Sequence, residues 1–154
     1  GALPQSYASV IETPLCPYPR ILVASPGYLA RAGTPATPAE LVEHACLAFV
    51  PIGLTWSFQS GQGPISVDLH ASFTVNDSRI LVAAALESLG LTVVPTFLVR
   101  AELEAGRLVT VLDDFPISPL WFKAMVPRNK AHRPEVAALL AHLKAEFEVP
   151  PWDP

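Results

Sequence analysis

An α/β fold with a sheet of mixed direction is the architecture this sequence predicts, and three observations carry the prediction. Strand-like and helix-like segments alternate along most of the chain. Residues 73–97 compress that alternation into a strand, a helix, a second strand and a second helix start, with a polar cluster at each strand-to-helix turn. Residues 55–69 read as an antiparallel hairpin, so the strands cannot all run one way.

Taken in order, residues 9–13 form a short strand candidate and residues 14–19 a proline-cornered connection. Arg20-Ile-Leu-Val-Ala24 has the pattern of a buried strand, after which Ser25-Pro26 caps and opens a short helix through Arg31 that ends at Gly33. Thr37-Pro-Ala-Glu40 has capping-box spacing with proline at the first helical position, which predicts a helix over 38–45 and a strand over 46–50. Residues 55–59 alternate, turn through Gly61-Gln-Gly63 and return over 65–69, and residues 71–75 are expected to add a strand beside that hairpin.

Asn76, Asp77 or Ser78 caps the next helix, which is expected to stop at Gly90 in the left-handed conformation. Leu91-Thr-Val-Val94 suits a strand buried on both faces of a parallel sheet. Thr96 is expected to cap a helix ending near Gly106; a strand over 108–112, a turn over 113–119 and a long, buried apolar strand over 120–125 follow. Pro134 opens a helix in which Val136, Leu139, Leu140, Leu143 and Phe147 share one face, and residues 149–154 read as a frayed tail.

A chain of 154 residues fits one domain or two small lobes and can bury a core. With 51% hydrophobic and 16% charged residues, either that core is large or some apolar surface is meant for a partner. The net charge of −4, with Lys and Arg scattered, excludes a grip on a nucleic-acid backbone by this segment. No run of apolar residues is long enough to span a membrane. Cys16 and Cys46 make neither a metal motif nor a disulfide scaffold and are expected as reduced thiols in a cytoplasmic protein.

Catalytic groups are not assembled by any motif. Ser25 stands between a strand and a helix, but Ala24 and Pro26 flank it where a nucleophile elbow needs glycines, so it reads as a cap. His44, His70, His132 and His142 lack metal spacing, and Asp113 and Asp114 read as turn residues. Gly61-Gln-Gly63 lacks the Lys-Ser/Thr of a phosphate loop. No enzyme, metal or cofactor is therefore expected. Asn76, Asp77 and Ser78 are different: a capping group there, or the N–H groups behind it, can also meet a ligand at the carboxyl edge of the sheet.

Five stretches in order carry a family resemblance: residues 20–33, Thr37-Pro-Ala-Glu-Leu41, Phe73-Thr-Val-Asn-Asp77, Gly90-Leu-Thr-Val-Val-Pro95 and Gly106-Arg-Leu-Val109. Together they resemble the effector-binding domain of LysR-type transcriptional regulators. The resemblance implies a fold like the type II periplasmic binding proteins, with two α/β lobes joined by two crossing strands and a small effector between them. On that template residues 1–25 are a remnant of the first lobe, with the first crossing at 20–25. Residues 26–118 are a complete second lobe, and residues 119–154 are the return crossing at 120–125 and a first-lobe helix.

The resemblance further implies a chain truncated at its N-terminus, a homo-oligomer, no membrane, and DNA contact only through an N-terminal helix-turn-helix domain. Ser25, Asn76, Asp77, Ser78, Pro95, Thr96 and Trp121 are similarly placed to cleft-lining positions of these regulators, and the implied effector is anionic or aromatic. The alternative reading is a solute-binding receptor of a transporter with the same fold.

Overall fold

In the computed structural model, which describes residues 9–153, the chain divides into two compact units, Pro19–Ser118 and the paired end segments Gly1–Tyr18 and Pro119–Pro154. The larger unit is built on a five-stranded sheet. Its strands are β2 (Arg20–Ala24), β3 (Cys46–Phe49), β6 (Ala71–Val75), β7 (Leu91–Pro95) and β8 (Val109–Thr110), in the order β6-β3-β7-β2-β8. β3 runs parallel to both β6 and β7, whereas β2 is antiparallel to β7 and to β8. The sheet is mixed, as the sequence predicts.

Each face of the sheet carries its own apolar layer. On one face Leu81, Ala84 and Ala85 of α2 (Ser78–Leu86) and Val99 of α3 (Thr96–Glu104) pack with Val23, Leu47 and Val94. On the other, Tyr28 of α1 (Pro26–Ala32) and Leu41 join Leu22, Cys46, Leu91 and Val93. The hairpin β4 (Thr55–Phe58) and β5 (Ile65–Asp68) completes that second layer with Trp56, Phe58 and Val67. β7 is buried at every position because it has a strand on each side and a layer on each face. One of those neighbours is antiparallel, so the expectation of a purely parallel setting is corrected.

Several other local expectations are corrected. The segment after Thr37 is a 3-10 helix, Pro38–Glu43, and Thr37 makes no side-chain cap. Glu40 instead reaches back to accept from the Ala36 N–H at 2.6 Å. β6 leaves the hairpin and pairs with β3, exposing the outer edge of the sheet. α2 ends before Gly90: its C-cap is Glu87, and Ser88 takes the left-handed turn at φ 63°. α3 starts at Thr96 with Pro95 as N-cap, so Thr96 is not the cap. α1 and α3 end just before Gly33 and Gly106, as expected, and both glycines take positive φ.

The smaller unit holds β1 (Val10–Tyr18), β9 (Leu120–Pro127) and α4 (Pro134–Glu146). β1 and β9 form an antiparallel ribbon with a register shift between Pro14 and Cys16. The proline-cornered connection is therefore strand; prolines are tolerated there because each strand of a two-stranded ribbon has an unpaired edge. β9 is not the buried strand expected, since Leu120, Trp121, Phe122 and Met125 are exposed. On α4, Val136, Leu140, Leu143 and the C-cap Phe147 are half-buried, and Leu139 departs from that face and is exposed. The tail is packed: Trp152 meets Tyr18 and Phe122 edge-on at 5.3 and 6.2 Å, and Phe122 lies 5.2 Å from Phe147.

Both cysteines are free and buried. Burial pushes the Cys46 thiol up to about 11 from its ordinary 9.0. Folding therefore favours the protonated thiol, and the linked stability is complete below pH 9 and lost as the pH rises through 11. Denaturant midpoints taken across that window are expected to fall by a stability on the order of 2–3 kcal/mol. Cys46→Ala is expected to remove that part of the fall.

Candidate functional site

Strand direction decides which of the candidate residues meet. β6, β3 and β7 run the same way, so Val75, Phe49 and Pro95 end at one edge of the sheet. The turn at Asn76, Asp77 and Ser78 and the turn at Pro95 and Thr96 consequently share a rim, separated only by β3. At an interstrand spacing of about 4.8 Å the two turns lie about 10 Å apart. α2 and α3 begin at these turns and aim their first N–H groups at the rim.

The two helix starts differ in charge. At α2 the Asp77 carboxylate accepts the Arg79 backbone N–H at 2.9 Å and takes the Arg79 guanidinium through Nε at 3.2 Å and Nη2 at 2.8 Å. These bonds, with the side-chain pair the largest cause, hold the Asp77 carboxyl below its ordinary value. Asp77 thus enters the rim as half of an ion pair and not as a bare negative charge. α3 has no side-chain cap and no acidic residue in its first turn. Its Thr96 N–H donates to the Pro19 carbonyl at 3.1 Å, which joins the start of α3 to the start of β2. Arg20 faces Pro95 across the β2–β7 pairing and so belongs to the same edge.

A rim element that the sequence reading missed is the 3-10 turn Val50–Ile52 with Gly53, which leaves β3 midway between the two helix starts. Val50 is 55% exposed there, an apolar surface between two sets of N–H donors. The Pro51 and Gly53 pair after a buried strand was the available signal, but only the parallel pairing of β3 assigns that turn to this edge.

Ser25 lies elsewhere. β2 runs against β7, so its C-terminal end is at the opposite edge, and Ser25 is 4% exposed. Its hydroxyl accepts the Tyr28 N–H at 3.0 Å and shares a hydrogen bond with the Ser88 hydroxyl at 2.7 Å. Arg31 donates to the Ser88 carbonyl at 2.9 Å, and the Tyr28 hydroxyl accepts the Ala45 N–H at 3.1 Å and shares a bond with His44 Nδ1. Every contact ties α1 to neighbouring turns, so Ser25 is a structural cap. Ser25→Ala is expected to cost about 1 kcal/mol in a urea melt and to leave ligand binding at the rim unchanged. Trp121 sits in the smaller unit, on β9, and is 49% exposed.

Among the described residues no group of three or more His, Cys, Asp or Glu side chains could hold a metal ion, and no helix is long and apolar enough to cross a membrane.

Comparison with known proteins gives the rim a context. The sequence matches the LysR substrate binding domain over residues 1–148. It is 34% identical to the HTH-type transcriptional regulator YhjC of Escherichia coli K12, over 84% of this chain and 44% of the relative. The fold superposes on the full-length Vibrio cholerae virulence activator AphB, a member of the LTTR family, with a TM-score of 0.72. Identity is 29%, and the match covers 96% of this chain and 50% of AphB. It also superposes on the regulatory domain of CrgA from Neisseria meningitidis, with a TM-score of 0.66 and 28% identity, covering 91% and 70% of the two chains. The chain thus spans about half the length of full-length relatives such as these, which are transcription regulators, and the transporter-receptor alternative finds no support among them.

Proposed function

Since the chain belongs to the LysR substrate binding domain family, we propose that it is the ligand-sensing part of a cytoplasmic, homo-oligomeric transcription regulator, with no catalytic role. The observation that carries this reading is the shared rim: two helix starts and an exposed apolar turn at one edge of one sheet. Backbone N–H donors with the positive end of a helix favour an anionic group, and Val50 offers an apolar surface beside them. The start of α3, which has no side-chain cap, is the better place for an effector carboxylate because Asp77 already occupies the start of α2, and Asp77 itself accepts from a hydroxyl or ammonium of the same effector. Asn76, Ser78, Pro95 and Thr96 border that place.

DNA is contacted through a helix-turn-helix domain elsewhere in the polypeptide, in keeping with the acidic balance of this segment. The effector acts by binding one arrangement of the regulator better than another and so changing its population. The lobe division at residues 25–26 and 118–119 belongs to the same reading, with one adjustment: β2 pairs within the larger unit, and the strand facing β9 is β1.

A thermal-shift screen of small carboxylates and amino acids on the intact regulator tests the proposal. A ligand at 100 times its dissociation constant adds about 2.7 kcal/mol. Asp77→Ala is expected to lower the unliganded melting temperature by only a few degrees, the loss of one cap, and to abolish the ligand's increment. An increment unchanged by Asp77→Ala removes Asp77 from the site.

A further inference from the structure

Beside the start of β2 the larger unit has a recess of about 230 Å³, lined by Arg20, Leu22, Val111, Asp113, Phe115 and Ile117 among others. It exists because β8 stops pairing early. β7 accompanies β2 from Arg20 to Val23, whereas β8 pairs only with Val23 and Ala24. After the Val111 N–H donates to the Leu22 carbonyl at 3.1 Å, Leu112 adopts φ 56° and turns the chain away from the sheet. A left-handed leucine is strained, and such strain persists only where surrounding structure enforces it. The departing segment is pinned again at its far end. Gln59 N–H donates to the Pro116 carbonyl at 2.8 Å, and Ser118 N–H donates to the Ser57 carbonyl at 2.9 Å. The hollow is held open by backbone bonds on both sides.

Its lining is apolar with one group of each charge. Leu22 and Val111 are buried, Phe115 and Ile117 are half-buried, and Arg20 is half-buried and donates through Nη2 to the Ser118 carbonyl at 3.3 Å. Asp113 is exposed, and among the described residues no ion pair involves it. Arg20 stands at the rim's edge of the sheet, but none of the residues assigned above to effector contact lines the recess.

We propose that this recess is a second ligand site, beside the rim on the far side of β2 from β7, and that it takes a small amphoteric molecule with an apolar body, of which a free apolar amino acid is the prototype. The carboxylate faces Arg20, the ammonium faces Asp113, and the side chain lies on Leu22, Phe115 and Ile117. The volume holds roughly eight water-sized groups at about 30 Å³ each, the size of leucine with its nine non-hydrogen atoms. A plain carboxylate would meet Asp113 and a plain amine would meet Arg20, so the pair of charges discriminates against both.

The test is a titration of the 154-residue chain, followed by amide chemical shifts, with L-leucine, 4-methylpentanoate and 3-methylbutylamine. Leucine is expected to shift residues 20–22 and 111–117 and to bind more tightly than either singly charged analogue. Asp113→Asn, a change at an exposed position, is expected to weaken leucine about tenfold without weakening 4-methylpentanoate. The proposal is overturned if leucine leaves those residues unshifted, if either analogue binds as well, or if Asp113→Asn binds leucine as the unmodified chain does. Residues 50–53 and 76–78, which follow β3 and β6, two and three strands away from β2, report the rim in the same spectra, so the two sites stand or fall separately.

Discussion

Gly90→Ala is expected to lower stability by about 3 kcal/mol, within the range for a side chain forced into closely packed structure. An added Cβ at Gly90 would stand 2.3 Å from the Ala45 carbonyl oxygen and 3.0 Å from its carbon. Both atoms are backbone, so no side chain can rotate away. That same oxygen accepts the Leu91 N–H at 2.9 Å, the bond at which β7 begins its parallel run beside β3. Relieving the clash therefore means parting the two strands whose parallel pairing gives the rim its shape. At roughly 2–4 °C per kcal/mol for a chain of this size, the melting temperature falls by about 10 °C. Gly61→Ala is the control: nothing lies within 4 Å of its added Cβ, and its φ is not positive. A melting temperature for Gly90→Ala equal to that of Gly61→Ala would contradict the close approach.

Phe58→Ala is expected to cost about 3–5 kcal/mol, the usual range for emptying a large buried aromatic site. Phe58 is fully buried in the layer that joins the hairpin to the sheet, among Trp56, Val67, Leu22 and Val111. It also bridges to Ile117, and its neighbours Ser57 and Gln59 hold the backbone of Ser118 and Pro116. The loss should thus reach the segment after β8 as well as the hairpin. Hydrogen exchange is expected to quicken at Gln59 and Ser118 in the variant. Phe73→Ala, on the exposed edge strand β6, is expected to change stability by less than about 1 kcal/mol. Comparable losses for the two phenylalanines would refute the core assigned here.

What the sequence made legible were the features set by neighbours along the chain. β2 and β7 show as β-branched apolar runs, α2 and α4 as periodic segments between polar or proline starts, and the order of elements follows. What it concealed depends on partners distant in the chain. Ser25 and Asp77 look alike locally, each a capping residue between a strand and a helix, yet β2 runs against β7 and β6 runs with it. The two caps therefore lie at opposite edges, and only the second reaches the rim.

Gly90 shows the same limit at a single residue. A glycine after a helix suggests a left-handed stop, but Ser88 makes that turn, and Gly90 is small because Ala45 presses against it. Pro14 and Pro17 suggest a loop until β9 is seen to pair beside them, and Trp121 suggests a buried strand until β9 proves to have, among the described residues, a single neighbour. The Val50–Ile52 turn escaped notice because its place on the rim follows from the direction of β3 alone.

The most direct test of the rim as the sensing surface is hydrogen–deuterium exchange on the intact regulator with and without an effector found by thermal shift. Slower exchange is expected together at residues 50–53, 76–79 and 95–98. Protection confined to the opposite edge, at residues 25–32 and 86–91, with the three rim turns unchanged, would contradict the account.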